Sequence, residues 1–302
     1  MDDKKTGIKQ NLTNYGDLGF STFLRKSFIK GLGYSDEMLD KPIVGIINTF
    51  SDYNSCHGNV PDLIQSVRAG ILTKGAIPLE FPTISVHEAF SYPTSMYLRN
   101  LMAMDTEEMI RAQPMDSCVL IGGCDKTVPA QLMGALSVDM PVIQLVTGPM
   151  LTGSHRGERV GACTDCRRLW AKFRADEIDE AEINEANNQL VPTVGTCGVM
   201  GTASTMAVIA ETLGMMPPDS SCAPAVSSER RRISEKTGQI AVDIAIHKRR
   251  PSSILTAKSF ENALMVLLAI GGSTNALIHL AAIAGRMGIK LDMESFDALS
   301  RT

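Results

Sequence analysis

Residues 116–138, DSCVLIGGCDKTVPAQLMGALSV, decide the fold. The run from Ser117 to Ile121 is mostly apolar, two glycines stop it, and Val128 to Val138 then repeats apolar residues at helical spacing, with Pro129 suited to a first helical turn. A strand that is apolar along most of its length is buried on both faces, as in parallel sheets covered by helices. Three further runs have the same character: KPIVGIINTF, FPTISVHEA and MPVIQLVTGPM. Helical patterns lie between them, Val60 to Lys74 with Pro61 in its first turn and Thr94 to Arg111. This alternation predicts an α/β fold, a parallel sheet flanked by helices.

Beyond Leu151 the pattern is more helical. Helices are expected around RRLWAKFRA and over Ile178–Gln189, Met200–Leu213, Ser228–His247, Ser259–Ala269 and Asn275–Met287. The chain therefore divides into an N-terminal arm (1–40), a strand–helix core (41–150) and a mainly helical part (151–302). The most apolar stretch, ENALMVLLAIGGSTNALIHLAAIAG, is broken by GGSTN and carries His279, so it reads as two buried helices and not as a membrane span.

With 302 residues, 44% hydrophobic and 21% charged, the chain has enough apolar side chains for a large core. A net charge of -4 provides no basic footprint, and the short runs Arg230–Arg232 and Lys248–Arg250 read as solvated helix faces, which excludes nucleic acid as a partner. The start, MDDKKTGIKQNLTNYG, has no apolar h-region, so the expected location is the cytoplasm. In a reducing compartment the seven cysteines are thiols or metal ligands.

Three of those cysteines stand in glycine-flanked turns: Cys56 in NSCHGNVPD, Cys124 in IGGCDKTVPA and Cys197 in GTCGVMGTAST. Glycine permits backbone conformations in which several N–H groups converge on one point, a setting that suits the sulfurs of a cluster, and Cys197 also precedes a helix N-terminus. Three thiolates leave one iron of a cluster open to a substrate oxygen, whereas four fill it. From these residues alone, cluster ligation and simple burial of small apolar side chains both remain open. Ligands of open parallel sheets sit at the carboxyl ends of strands, where Cys56, Glu88, Cys124 and Asp125 are expected. Carboxylates there suit Mg²⁺, and Lys126 could join them only as a carbamate. Cys163 and Cys166 form a C-x-x-C that has no second ligand pair and follows GSHRGERVG, which reads as a loop; they are read as packing or substrate-loop cysteines. The histidines show no zinc spacing, and no P-loop or G-x-G-x-x-G signal follows a strand.

At NSCHGN, IGGCDKTVPA, GTCGVMGTASTMA and IGGSTNALIHLAAIA the chain resembles the dihydroxy-acid, phosphogluconate and sugar-acid dehydratases, over essentially its whole length. Within that family, GACTDCRRLWAKFRADEID looks like the branch acting on aldonates such as arabinonate or xylonate. The resemblance implies a [2Fe–2S] cluster on Cys56, Cys124 and Cys197, and Mg²⁺ on Glu88, Asp125 and a carbamylated Lys126. It further implies dehydration of a sugar acid to a 2-keto-3-deoxy acid, with Lys126 and Asp125 at the reacting centre and His57, His87, Thr196 and Asn275 expected against substrate. Family members are homo-oligomers, dimers or larger, and carry a C-terminal barrel-like domain with a base serine, which is expected beyond residue 302. The chain is accordingly expected to be the N-terminal part of a longer protein. The alternatives are a dihydroxy-acid dehydratase of branched-chain biosynthesis, a non-catalytic metal-binding or assembly domain, and an electron carrier that would need a fourth ligand such as Cys118 or Cys166.

Overall fold

The computed structural model describes residues 6–12 and 15–301. After an N-terminal helix α1 (Leu18–Gly31), strands and helices alternate: β1 (Ile43–Asn48), α2 (Val60–Thr73), β2 (Ile77–Pro82), α3 (Arg99–Ala112), β3 (Ser117–Gly122), α4 (Thr127–Val138) and β4 (Val142–Val146). The four strands form one parallel sheet in the order β2-β1-β3-β4, with Val44 opposite Ser117 and Cys118 opposite Val142. A short antiparallel hairpin follows, β5 (Gly153–His155) and β6 (Glu158–Val160), and then helices α5 (Thr164–Arg174), α6 (Glu180–Leu190), α7 (Thr202–Thr212), α8 (Ser228–Ile246), α9 (Ala257–Ala269), α10 (Asn275–Arg286) and α11 (Met293–Ser300). Among the described residues no helix is long and apolar enough to cross a membrane.

Alternation along each strand sorts the core into two layers. Val44, Ile46, Val119, Ile121, Ile143 and Leu145 face one way and pack with apolar residues of α2 and α8. Ile43, Ile47, Cys118, Leu120, Val142 and Val146 face the other, against α3, α4, α7, α9 and α10. Helix α4 is buried on nearly every side, as an apolar helix without a polar face must be. Its fixed position sets the loop that carries Cys124. Helices α2 and α8 approach closely through glycine: a Cβ at Gly70 would stand 2.0 Å from the Glu235 carbonyl oxygen, and one at Gly238 would stand 2.3 Å from that of Val67.

Two local expectations are corrected. The second strand is IPLEFP and not FPTISVHEA, so Glu88 does not end a strand but opens a short turn, Glu88–Phe90. Pro82 closes the ladder on this edge strand; beyond it Ile84 and Val86 reach the core from irregular backbone, where the Ile84 N–H donates to Asp105 Oδ2 at 2.7 Å. The segment GSHRGERVG is the β5–β6 hairpin and not a loop, turning at Arg156 and Gly157 with φ of 48° and 84°. Val160 of that hairpin packs on Leu169, Ala186 and Leu190.

Candidate metal centre

The site is assembled on the carboxyl edge of the sheet. Cys56 lies on a 3-10 turn, Ser55–His57, in the connection after β1; Cys124 follows β3 directly; Cys197 lies in the loop before α7. Cys56 and Cys124 are 3% and 4% exposed, and Cys197 is half-buried. The third loop is fastened to the first and to the segment that follows β4. Gly195, at φ +119°, donates its N–H to the Ser55 carbonyl at 3.1 Å, and Thr196 exchanges backbone bonds of 2.9 Å with Gly148 and Met150. Ser204 of α7 donates its hydroxyl to the Cys197 carbonyl at 3.3 Å.

His57 holds the first two loops together. Its Nδ1 lies 2.8 Å from the Thr49 carbonyl, and its Nε2 accepts the N–H groups of Gly123 at 2.9 Å and Cys124 at 3.1 Å. This pattern requires a neutral ring with its hydrogen on Nδ1. Burial agrees: it pushes the imidazole down to about 4, against the opposing bond to Thr49. His57 is wholly buried and engaged at both nitrogens, which sets it behind the loops and away from the open surface.

A ring nitrogen of His87 and the sulfurs of Cys56 and Cys124 all lie within 4.8 Å of one another, a spacing that suits ligation of one metal centre. The His87 ring rests on Phe90, 5.8 Å between centroids, and Phe90 meets Tyr53 at 6.2 Å. An exposed aromatic rim thus borders the cysteines.

Cys163 stands at the same place, its Sγ 3.5 Å from that of Cys197, with φ +73° at the N-terminus of α5. Of its two readings, packing or substrate-loop, exposed Cys163 departs from the first. The one signal in the sequence is shared with Cys124 and Cys197: all three precede a helix. Cys166 does pack, against the small cluster of Leu169, Ala186 and Leu190. Cys118 is sealed in the core, where burial raises its thiol pKa, so neither Cys118 nor Cys166 is placed as a fourth ligand.

The sulfurs interact strongly. The Cys124 thiol is held well above its usual range by its bond to Cys56, by burial, and by the charges of Cys56 and Asp125; Cys197 is raised by its bond to Cys163, by burial, and by the other thiols. Cys163 is lowered to about 6 by its bond with Cys197, against burial. Crowded sulfurs beside a carboxylate cannot all ionise unless a cation joins them, and that donor set fits a metal.

Beside the thiols lies a charged trio. Lys126, only 4% exposed, places its ammonium 2.5 Å from Asp125 Oδ2 and 3.6 Å from Glu88 Oε2. Glu88 is pushed up by burial but held below its ordinary value on balance by bonds from Ser95 and Thr94, with Lys126 adding to them. Thr94 Oγ1 donates to Oε1 at 2.8 Å and the Ser95 N–H to Oε2 at 3.0 Å, while the Ser95 hydroxyl also meets Oε2. Two carboxylates already balance one cation here, and a divalent ion fits that charge provided Lys126 supplies oxygen and not ammonium.

Behind the trio lies a pair that the sequence did not mark as functional. Arg99 donates to His279 Nδ1 at 2.9 Å, leaving the buried His279 Nε2 and Arg99 Nε without partners. Burial, then the Arg99 and Lys126 charges, push His279 down to about 3. Thr196 is buried, its methyl 2.9 Å from where a Cβ on Gly123 would stand. Asn275 donates to Thr202 Oγ1 at 3.3 Å, tying the GGSTN turn to the start of α7 and not to the cysteines.

Fold and site together define an α/β protein with a thiol-rich edge, whose donors suit a metal, beside an acidic pair. The chain belongs to the dihydroxy-acid/6-phosphogluconate dehydratase N-terminal family, whose model matches residues 41–302. It is 44% identical to L-arabinonate dehydratase of Rhizobium leguminosarum over 95% of this chain and 50% of that protein. It is 42% identical to 6-deoxy-6-sulfo-D-gluconate dehydratase of Pseudomonas putida over 87% and 45%, and 37% identical to dihydroxy-acid dehydratase of Natronomonas pharaonis over 91% and 47%. The chain spans about half the length of the curated relatives it matches.

Proposed function

We propose that this chain forms the metal-binding half of a dehydratase that converts a sugar acid, an aldonate, to a 2-keto-3-deoxy acid. The observation that carries this reading is the meeting of Cys56, Cys124 and Cys197 on one sheet edge with Glu88, Asp125 and Lys126. In this reading the three cysteines hold a [2Fe–2S] cluster, and Glu88, Asp125 and a carbamylated Lys126 hold Mg²⁺. When bound, the metals supply Lewis acidity to the substrate's oxygens.

The chain's own residues prepare the site. His57, neutral and buried, fixes the peptide of Cys124. Lys126, buried and next to both carboxylates, would become a carbamate when its amine adds CO₂ and loses one proton. Thr94 and Ser95 keep Glu88 ionised for a cation. A sugar acid is preferred to a dihydroxy acid because the chain is 44% identical to an arabinonate dehydratase and 37% identical to a dihydroxy-acid dehydratase. The reading includes a cytoplasmic homo-oligomer.

A second reading, metal binding without turnover, rests on the matched family model, which is that of an N-terminal region, over residues 41–302. Anaerobic reconstitution of the chain with iron and sulfide, followed by assay on aldonates with Mg²⁺, tests both. A [2Fe–2S] absorption spectrum and 2-keto acid formation support the first; a cluster with no turnover selects the second. A chain that takes up no iron, or a Cys124→Ser variant that keeps its full iron content, overturns the cluster assignment.

A further inference from the structure

We propose that Cys163 and Cys197 are a modification site: a peroxide joins them in a disulfide when the cluster is absent, and the link withholds Cys197 from iron until a thiol reduces it. Their sulfurs lie 3.5 Å apart, so a disulfide at about 2.05 Å needs an approach of about 1.5 Å. Cys163 is the N-cap residue of α5, and its side chain caps none of that helix's N–H groups, which leaves it free to make the approach. The other close pair of thiols, Cys56 and Cys124, is 3% and 4% exposed and is shut away from an oxidant. Cys166, three residues on, turns to the packed side of α5. The withholding of Cys197 rests on the reading above, that Cys197 holds a cluster with Cys56 and Cys124; the disulfide itself does not.

The pair is open to solvent through Cys163. Cys163 is exposed and Cys197 half-buried, and Cys163 lines a depression of about 470 Å³ together with Val199, Met200 and Gly201 of the loop that follows Cys197. A peroxide entering there meets Cys163 first. The Cys163 sulfur attacks one peroxide oxygen, the O–O bond breaks, and the other oxygen leaves as water, so that Cys163 becomes a sulfenic acid. The Cys197 sulfur then attacks that of Cys163; the S–S bond forms, the S–O bond breaks, and the oxygen leaves as a second water. The two thiols give up two electrons and two protons, and the peroxide takes both. Exposure assigns the roles: Cys163 is the sulfur that peroxide oxidises, and Cys197 is the one that resolves it.

The test exposes the 302-residue chain to hydrogen peroxide, either metal-free or reconstituted anaerobically with iron and sulfide. In the metal-free chain the alkylatable thiols are expected to fall by two from seven and to return to seven with dithiothreitol. Peptide mass analysis should then find Cys197 linked to the peptide that carries Cys163 and Cys166. Cys163→Ser is expected to abolish the link and Cys166→Ala to keep it, which separates the two cysteines of that peptide. In the reconstituted chain the link is expected to form no faster than iron is lost. Seven thiols after peroxide, a link that survives Cys163→Ser, or one that Cys166→Ala removes overturns the disulfide. A link formed at full iron content, or a reduced chain that takes up no iron, leaves the disulfide standing and overturns the withholding of Cys197 together with its place in the cluster.

Discussion

Nε2 of His57 accepts the backbone N–H of Cys124 at 3.1 Å and that of Gly123 at 2.9 Å, so the residue beside one candidate ligand fixes the peptide of another. The bond joins the loops that follow the two central strands, β1 and β3.

Replacing His57 by Leu keeps the volume roughly constant and strips both N–H groups of their acceptor. Each buried donor left unpaired costs about 1–3 kcal/mol. The His57→Leu chain is expected to unfold at lower urea and, after anaerobic reconstitution, to hold less iron than wild type. Unchanged iron content in a folded variant would remove His57 from the ligand-positioning role.

The glycines at the α2–α8 crossing allow the backbones to meet. A Cβ at Gly70 would stand 2.0 Å from the Glu235 carbonyl oxygen, which has no flexible end to swing away. Gly70→Ala therefore forces the helices apart, at about 1–3 kcal/mol by the cost of overpacking. The midpoint of urea unfolding reads this directly; Gly75→Ala, where nothing lies within 4 Å, carries only the local strain of φ +74° and separates crowding from conformation.

Much of this was legible because the physics is local. The strand–turn–helix unit at 116–138 contains its own apolar run, stop and first-turn proline, and the structure places β3 and α4 there. The cysteine loops were visible through their glycines. What escaped depends on pairing across the chain. Glu88 was misplaced because Ile84 and Val86 look like strand residues, although they reach the core from irregular backbone. Cys163 carries no local mark that separates it from Cys166, yet the turn into α5 brings one to Cys197 and the other to the packed side of that helix. Arg99 and His279 meet over a sequence separation of 180, beyond the reach of any spacing rule.

Arg230, expected on a solvated helix face, is instead wholly buried and donates to the carbonyls of Ser220 at 2.8 Å and Ala223 at 3.2 and 2.6 Å, with burial lowering its pKa to about 10. The loop it gathers passes Ala225 N–H to the Pro149 carbonyl, and Pro149 pairs with Thr196, next to Cys197. Arg230→Met fills the space and abandons two carbonyls, an expected loss of about 2–4 kcal/mol. Iron retention should fall with it, since the Cys197 loop loses its backing. Chemical denaturation and iron release to a chelator measure the two effects separately.

His279 makes the fold sensitive to acid. Its folded pKa, about 3, lies below the unfolded value near 6.5, because burial and the Arg99 and Lys126 charges oppose protonation. Between those values the unfolded chain binds a proton that the folded chain refuses, so stability rises with pH; the contribution is complete above about 6.5 and is lost as pH falls toward 3. From pH 7 to pH 5 this single group removes about 2 kcal/mol. A glutamine at this position does not titrate and preserves a polar group for Arg99. His279→Gln is therefore expected to reduce the drop in unfolding free energy between pH 7 and pH 5 by about that amount, whatever its stability at pH 7. Urea unfolding at the two pH values, on wild type and variant, gives the difference, and an equal drop in both would show that His279 is protonated as readily in the folded chain as in the unfolded one.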